Sequence, residues 1–294
     1  MAWIGCGSIG FAAVHALDGI HRLTGPLHLV DPSGINRSNL RKYIGLSGGE
    51  RGKGKADVLA RLLHTRGINA KSYTRSINDY GHEVRFDIPM AICSTDTSIA
   101  RRDLQAKLPR VVLNAWTGGS DDALFAGASR HLFDGIGECL NCAYWNDVEG
   151  ALNLVDVAMP IGTDSRSLYR RRREGREFPP QTKHVPDRDQ RFLDGFFNAC
   201  DKLPVKPGSV QRDFSIPFIA AIAGALLASS IAAEGCPEGA DQRLNGTRLR
   251  FAMAHSFSSV YSEPAAARAG CICRDPTYQA VFHQKWAIGA IPGV

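Results

Sequence analysis

One stretch near the start of the chain constrains its fold more than any other. Gly5-Cys6-Gly7-Ser8-Ile9-Gly10 fits the pattern G-x-G-x-x-G. It follows a short apolar strand at Trp3 and Ile4 and runs into a helical pattern from Ile9 to Leu23. Glycines there let the backbone approach a phosphate closely, and a helix N-terminus offers free N–H groups to it. Leu27 to Val30 is a second apolar strand, closed by Asp31 about twenty residues after the loop. A carboxylate at that place can accept hydrogen bonds from ribose hydroxyls. Strand, glycine loop, helix, strand and acid together predict a nucleotide site using Gly5, Gly7, Gly10 and Asp31. The loop alone would fit equally well a tight turn that binds nothing.

The alternation continues. Lys53 to Arg66 has helical periodicity, with Val58, Leu59, Leu62 and Leu63 on one side. Asp87 to Ser94 is a buried strand, Ile99 to Lys107 a helix, and Arg110 to Asn114 another strand. This predicts an α/β fold: a Rossmann-like doubly wound sheet, parallel in its N-terminal half. The pattern stops near Asn146. From there to about Asp213 the chain is polar, basic and proline-bearing, with YRRRREGR at Tyr169 to Arg176. So long a stretch without regular pattern predicts a mobile crossover or insertion, and its charge run a solvated face. No aromatic platform or zinc-finger spacing accompanies the run, so nucleic acid is not the expected partner. A helix follows at Phe214 to Ala233, and Arg248 to Met253 and Ser258 to Tyr261 read as strands of a mixed or antiparallel extension. The chain thus reads as one domain in three parts: a nucleotide-binding half (1–146), a basic insertion (147–213) and a C-terminal half (214–294).

At 294 residues, 44% hydrophobic and 22% charged, the composition is that of a soluble globular chain with a sizeable core. The longest apolar run, Phe218 to Ala233, is short for a membrane span and reads as a buried helix. The opening residues lack the charged and apolar regions of a secretory signal. Of eight cysteines, four form two close pairs, Cys139-x-x-Cys142 and Cys271-x-Cys273. Inside an α/β pattern such pairs favour metal over disulfides and predict a cytoplasmic protein. Four thiolates suffice for a closed structural zinc site that ties the end of the chain to the sheet. Buried free thiols are the alternative.

After the second strand the chain reads VDPSGINRSNLRKYIG, then ERGKGKADVLARLL. This resembles the ThiF/MoeB/ubiquitin-activating (E1-like) family at Val30, Asp31, Pro32, Ser38, Asn39, Leu40, Gly52, Lys55 and Ala56. Ser94-Thr95-Asp96-Thr97 with Arg101, then Cys139 and Cys142, continue the likeness in order. It covers most of the chain, but the insertion and the last thirty residues match poorly. The resemblance implies ATP-dependent adenylation of the C-terminal carboxylate of a small ubiquitin-like (β-grasp) or sulfur-carrier protein. It puts Lys55 and Asn39 at the phosphates, Asp31 on the ribose and Asp96 on Mg²⁺, an ion suited by one or two carboxylates plus phosphate oxygens.

Two departures from the family pattern bear on this. The family's arginine three residues after the asparagine is Lys42 here, with Arg41 beside it and Tyr43 in place of glutamine; either cation can serve, though lysine lacks bidentate geometry. The family's arginine ahead of the first strand has no counterpart. That implies a homodimer or a partner subunit that supplies it, or a longer protein. Ubiquitin-activating members also carry a cysteine nucleophile that passes its cargo to a conjugating protein. Cys200, with Lys202 and Lys206 nearby to favour its thiolate, is the first candidate and Cys236 the second; Cys6 and Cys93 fall in buried elements. Two readings from other classes are a non-catalytic scaffold subunit and a nicotinamide-dependent dehydrogenase. The latter gives no reason for Asn39, Lys55 and Asp96.

Overall fold

The strand ahead of the glycine loop, β1 (Ala2–Ile4), is wholly buried and pairs in parallel with β2 (Leu27–Val30) on one side and β4 (Met90–Cys93) on the other. The computed structural model describes residues 1–17, 26–85, 87–120, 123–144, 217–235, 247–252 and 260–286. All of these but Tyr144 belong to one compact unit formed by residues 1–143 and 212–294. Its sheet has eight strands in the order β3-β2-β1-β4-β5-β6-β7-β8. The first five, with β3 at Ala70–Tyr73 and β5 at Val111–Ser120, are parallel; β6 (Ala123–Leu132), β7 (Thr247–Ala252) and β8 (Val260–Pro264) add antiparallel. The parallel half with an antiparallel extension agrees with the sequence-based expectation.

The register brings the carboxyl ends of the central strands level, with Ile4 beside both Val30 and Cys93, and Val30 beside Tyr73. The strand order runs outward from β1 to β3 and then returns to β4, so a crevice opens between β1 and β4 at the end where ligands bind in such sheets.

Helices α1 (Ser8–Ala16) and α2 (Lys55–His64) cover one face of the sheet. Helix α2 forms where Ala56, Val58, Leu59, Ala60 and Leu63 recur at helical spacing, and that stripe enters the main core with Phe11 and Val14 of α1. After β3 the chain reverses direction. Right-handed crossovers then put α3 (Ile77–Glu83) and α4 (Ser98–Ala106) on the opposite face. Strand residues that point there, such as Ala91, Cys93 and Val112, are as buried as those facing the main core. Helix α4 also packs on the short α5 (Leu140–Ala143).

The long helix α6 (Pro217–Gly235) returns to the first face and packs on α1, β5 and β6. By length and composition it could cross a membrane, but Ile219, Ala220, Ala223, Leu227 and Ile231 lie in the core, as expected of a buried helix. Gly224 is the closest approach: a Cβ there would fall 2.6 Å from Ala12 Cβ and Ala13 N. Gly224→Val should therefore destabilise the chain by about 1–3 kcal/mol through overpacking, read as a lower urea midpoint at unchanged slope. An unchanged midpoint would mean the two helices are further apart.

Five α-helices and strands are not foreseen from the sequence: β3, α3, β6, α5 and the C-terminal α7 (Pro276–Lys285). Strand β5 also runs six residues past its expected end at Asn114, in a hairpin with β6. Its aromatic rings lie over facing glycines. A Cβ on Gly127 would fall 2.4 Å from the Trp116 ring, and one on Gly118 2.3 Å from the Phe125 ring.

Candidate functional site

The glycine loop turns through Gly5, whose φ of +89° only glycine adopts readily. A Cβ at Gly5 would stand 2.8 Å from the backbone of Ser94 and Thr95, so the chains leaving β1 and β4 touch. Ser94 Oγ fastens them, donating to Gly5 O (2.6 Å) while accepting from Trp3 Nε1 (2.8 Å). Gly7 leads into α1 with no side-chain cap, so the first turn of the helix faces the loop with its backbone.

Asp31 holds this loop from the end of β2. Its Oδ2 accepts from Cys6 N (2.8 Å), and its Oδ1 accepts from Ser33 N (2.8 Å) and from Ser33 Oγ. A carboxylate has about four acceptor positions. Three are used within the protein, which leaves one on Oδ2 for a hydroxyl.

Lys55 opens α2 at the same crevice. Its N–H donates to Ser33 O (3.0 Å), its Nζ lies 3.3 Å from Ser33 Oγ, and the Tyr43 ring is 5.7 Å away. Burial works against the charge on Lys55, but Tyr43, Asp31 and Asp96 outweigh it and raise its pKa. It is thus an ammonium throughout the neutral range. The Tyr43 phenol is also raised, first by burial, with Asp31 and Asp96 adding and Lys55 opposing. Tyr43 packs on Phe11, ring centroids 5.1 Å apart, and its hydroxyl lies 4.0 Å from where a Gly7 side chain would begin. Asp96 is exposed on the β4–α4 connection, near enough to act on both. One cation, two carboxylates and a phenol thus converge on a glycine loop at the sheet's switch point.

The other residues singled out from the sequence are placed nearby or elsewhere. Asn39 is buried in a short 3₁₀ turn, where its Oδ1 accepts from Asn36 N (2.9 Å) and its carbonyl accepts from Lys42 and Tyr43 (both 2.9 Å). Lys42 is half-buried and Arg41 exposed; the Arg41 side chain makes no hydrogen bond or ion pair among the described residues. Cys6 and Cys93 are fully buried, and burial pushes both thiols up, well above the ordinary range for Cys6. Cys200 and Cys236 lie outside the described residues. Sequence reasoning missed Tyr43 and Ser33 as members of the site. The only signal for Tyr43 was its departure from the family's glutamine.

A second cluster sits on the opposite side of α4. Cys139, Cys142, Cys271 and Cys273 are fully buried, and their sulfurs all lie within 4.8 Å of one another. Cys139 to Cys142 is 3.8 Å, Cys139 to Cys271 3.6 Å and Cys142 to Cys273 3.5 Å. Four thiolates about 2.3 Å from a tetrahedral zinc stand about 3.8 Å apart. The C-x-C spacing therefore closes the set as well as a C-x-x-C would, and the cluster could hold a metal such as zinc. Two N–H groups already point at the sulfurs: Asn141 Nδ2 donates to Cys271 Sγ and Arg268 N to Cys142 Sγ, each at 3.3 Å. Around the cluster, Arg248 grips Glu138 with two nitrogens at 2.5 Å, and His131 Nδ1 donates to Glu138 O (2.9 Å).

No family model matches the sequence. A stretch of 145 residues, 48% of the chain, is 32% identical to the uncharacterized protein y4jF of Sinorhizobium fredii (strain NBRC 101917 / NGR234) and covers 27% of it. Among solved structures, the chain is similar to E. coli MccB with ATP (TM-score 0.53, 18% identity, 92% of this chain and 65% of that one). It is likewise similar to E. coli MccB with MccA-N7isoASN (0.56, 17%, 93% and 66%). The microcin C7 biosynthetic enzyme MccB in complex with N-formylated MccA gives 0.55, 18%, 93% and 67%. The chain thus spans about a quarter of that curated relative and about two thirds of these structures. Its fold is that of MccB, an E1-like fold of the ThiF/MoeB type.

Proposed function

We propose that the crevice between β1 and β4 binds ATP with Mg²⁺ and adenylates the C-terminal carboxylate of a peptide or small ubiquitin-like or sulfur-carrier protein. The observation that carries this is the convergence of Lys55, Tyr43, Asp31 and Asp96 on the glycine loop. A dehydrogenase needs the loop and the acid but not a cation and a second carboxylate facing them. MccB, which shares the fold, has been crystallised with ATP and with MccA.

In this reaction an oxygen of the carboxylate attacks the α-phosphorus of ATP. The bond to the β-phosphate bridging oxygen breaks, and pyrophosphate leaves with the electron pair. Negative charge crowds the site, so cations and backbone donors must stand ready before the reaction. The loop backbone and the start of α1 meet the phosphates. The remaining acceptor position of Asp31 takes a ribose hydroxyl, and Lys55 neutralises the phosphates, with Asn39 and one of Arg41 and Lys42 beside it. Magnesium, held through Asp96, supplies charge neutralisation on the leaving pyrophosphate. Cys6, Cys93 and the four clustered thiols are buried, so a later thioester step would fall to Cys200 or Cys236. A second subunit would contribute the family's additional arginine.

The test is ATP–pyrophosphate exchange by the purified chain, with β-grasp proteins and short peptides encoded beside its gene. Exchange that requires one such polypeptide supports the proposal. Tight Mg²⁺-ATP binding with no exchange for any of them, even with a longer form of the protein, would reduce it to a scaffold role.

A further inference from the structure

Helix α4 has one end at each of the two clusters. Its N-cap, Thr97, directly follows Asp96, and Arg101 in its first turns donates to Thr95 O (2.5 Å). Two side chains further along reach the segment between Cys139 and Cys142. Gln105, 1% exposed, accepts the Leu140 N–H (2.8 Å), and Arg102 Nε donates to Asn141 Oδ1 (3.2 Å). The same Asn141 amide donates through Nδ2 to Cys271 Sγ (3.3 Å). Its orientation is set from both sides. Arginine can only donate, so it must meet the amide oxygen, and a thiolate can only accept, so it must meet the amide nitrogen. The amide turned over would set donor against donor and oxygen against sulfur.

We propose that Arg102 and Asn141 are positioning residues: together they aim the Cys271 thiolate at the metal and, because Arg102 belongs to α4, make nucleotide affinity depend on metal occupancy. This rests on the metal reading of the thiols and the nucleotide reading of the crevice. Outer-shell partners fix the orientation of metal ligands. Without the ion, Cys271 is free to leave its position and the Asn141 amide follows. Arg102 then loses this acceptor, and the tie of α4 to the segment between Cys139 and Cys142 is left to Gln105 and apolar packing. The connection that carries Asp96 is anchored on this helix.

The experiment uses the full chain loaded with Co²⁺, whose thiolate charge-transfer bands report ligand geometry. Metal affinity is read by competition with a chromogenic chelator. Asn141→Ala should weaken it about 10–100-fold and shift the bands, and Arg102→Ala should weaken it about 10-fold, with partial rescue in Arg102→Lys. Circular dichroism with metal in excess shows whether each variant folds. In parallel, fluorescent ATP-analogue binding should weaken at least about 5-fold in chelator-treated wild type and in metal-loaded Arg102→Ala. Wild-type metal affinity and bands in folded Asn141→Ala would overturn the positioning role. Equal nucleotide affinity with and without metal would overturn the coupling. A wild type that takes up no Co²⁺ removes the metal reading and the inference with it. A wild type that binds Co²⁺ but no nucleotide refutes the coupling together with the proposed function, while the metal arm still decides the positioning.

Discussion

Lys55→Ala is expected to lower ATP–pyrophosphate exchange on the order of 100- to 1000-fold, the scale seen when one preorganised electrostatic donor is removed from an active site, about 3–4 kcal/mol. The size follows from what surrounds the ammonium. Asp31 and Asp96 both act on it, and its charge survives partial burial because of them and Tyr43. Without Lys55, two carboxylates face the incoming triphosphate with no cation on α2 between them. Asp96→Ala removes the opposite charge and should depress exchange similarly, since pyrophosphate would leave without its metal. The two variants differ in binding. Lys55→Ala should weaken ATP affinity with or without Mg²⁺, whereas Asp96→Ala should weaken only the Mg²⁺-dependent part. Both side chains are at least partly exposed, so the fold should persist, with thermal midpoints within a few degrees of wild type. Exchange within threefold of wild type in Lys55→Ala would sink the assignment of this crevice.

Stripping metal from the four-cysteine cluster should lower the thermal midpoint by about 10 °C or more, and Cys139→Ser should reproduce the effect without chelator. The cluster joins α5 to a segment about 130 residues further along the chain. Among the described residues, that segment is otherwise held by backbone hydrogen bonds from Glu138 to Ala265 and from Ala267 to Ile136, by Lys285 and Trp286 donating to the Lys107 and Leu108 carbonyls, and by α7. Helix α7 packs through Phe282 on Phe133, with ring centroids 5.1 Å apart, and Gln279 reaches the Cys273 and Phe133 carbonyls. Loss of several kcal/mol in a chain of this size corresponds to a shift of that order, at about 2–4 °C per kcal/mol. Metal analysis of reduced protein should find about one ion per chain for a closed four-thiolate site. Protein purified under reducing conditions without bound metal, and melting alike with and without chelator, would contradict the assignment.

The parallel half of the sheet is legible because buried parallel strands are short continuous apolar runs, as at Leu27–Val30 and Met90–Cys93. Strand β3 escapes because it reads AKSY, with only its two ends buried. Strand β6 escapes because its alternation is of small residues with Arg130 and His131, and an Arg or a His gives no apolar signal even when buried. The glycine loop, Asp31, Asn39, Lys55 and Asp96 are visible as motifs because each sits where a strand ends or a helix begins. Tyr43 and Ser33 are not: their membership depends on a turn folding back over α1, which no local spacing encodes. Cys139 and Cys271 are readable as members of pairs. Their union, a long-range contact, is legible only through the chemistry of a four-thiolate set, and Arg102 and Asn141 carry no mark in the sequence at all.

The seating of Gly224 against Ala12 and Ala13 has a bearing on how the chain is made. Helix α1 is made well before its companion α6, which follows roughly two hundred residues later, about 10–40 s at usual synthesis rates. For that interval the nascent first half displays an apolar flank with nothing against it. The fold cannot close from its beginning onward; it closes when the late helix arrives, and a chain stalled before residue 224 would be a target for holding chaperones and proteases.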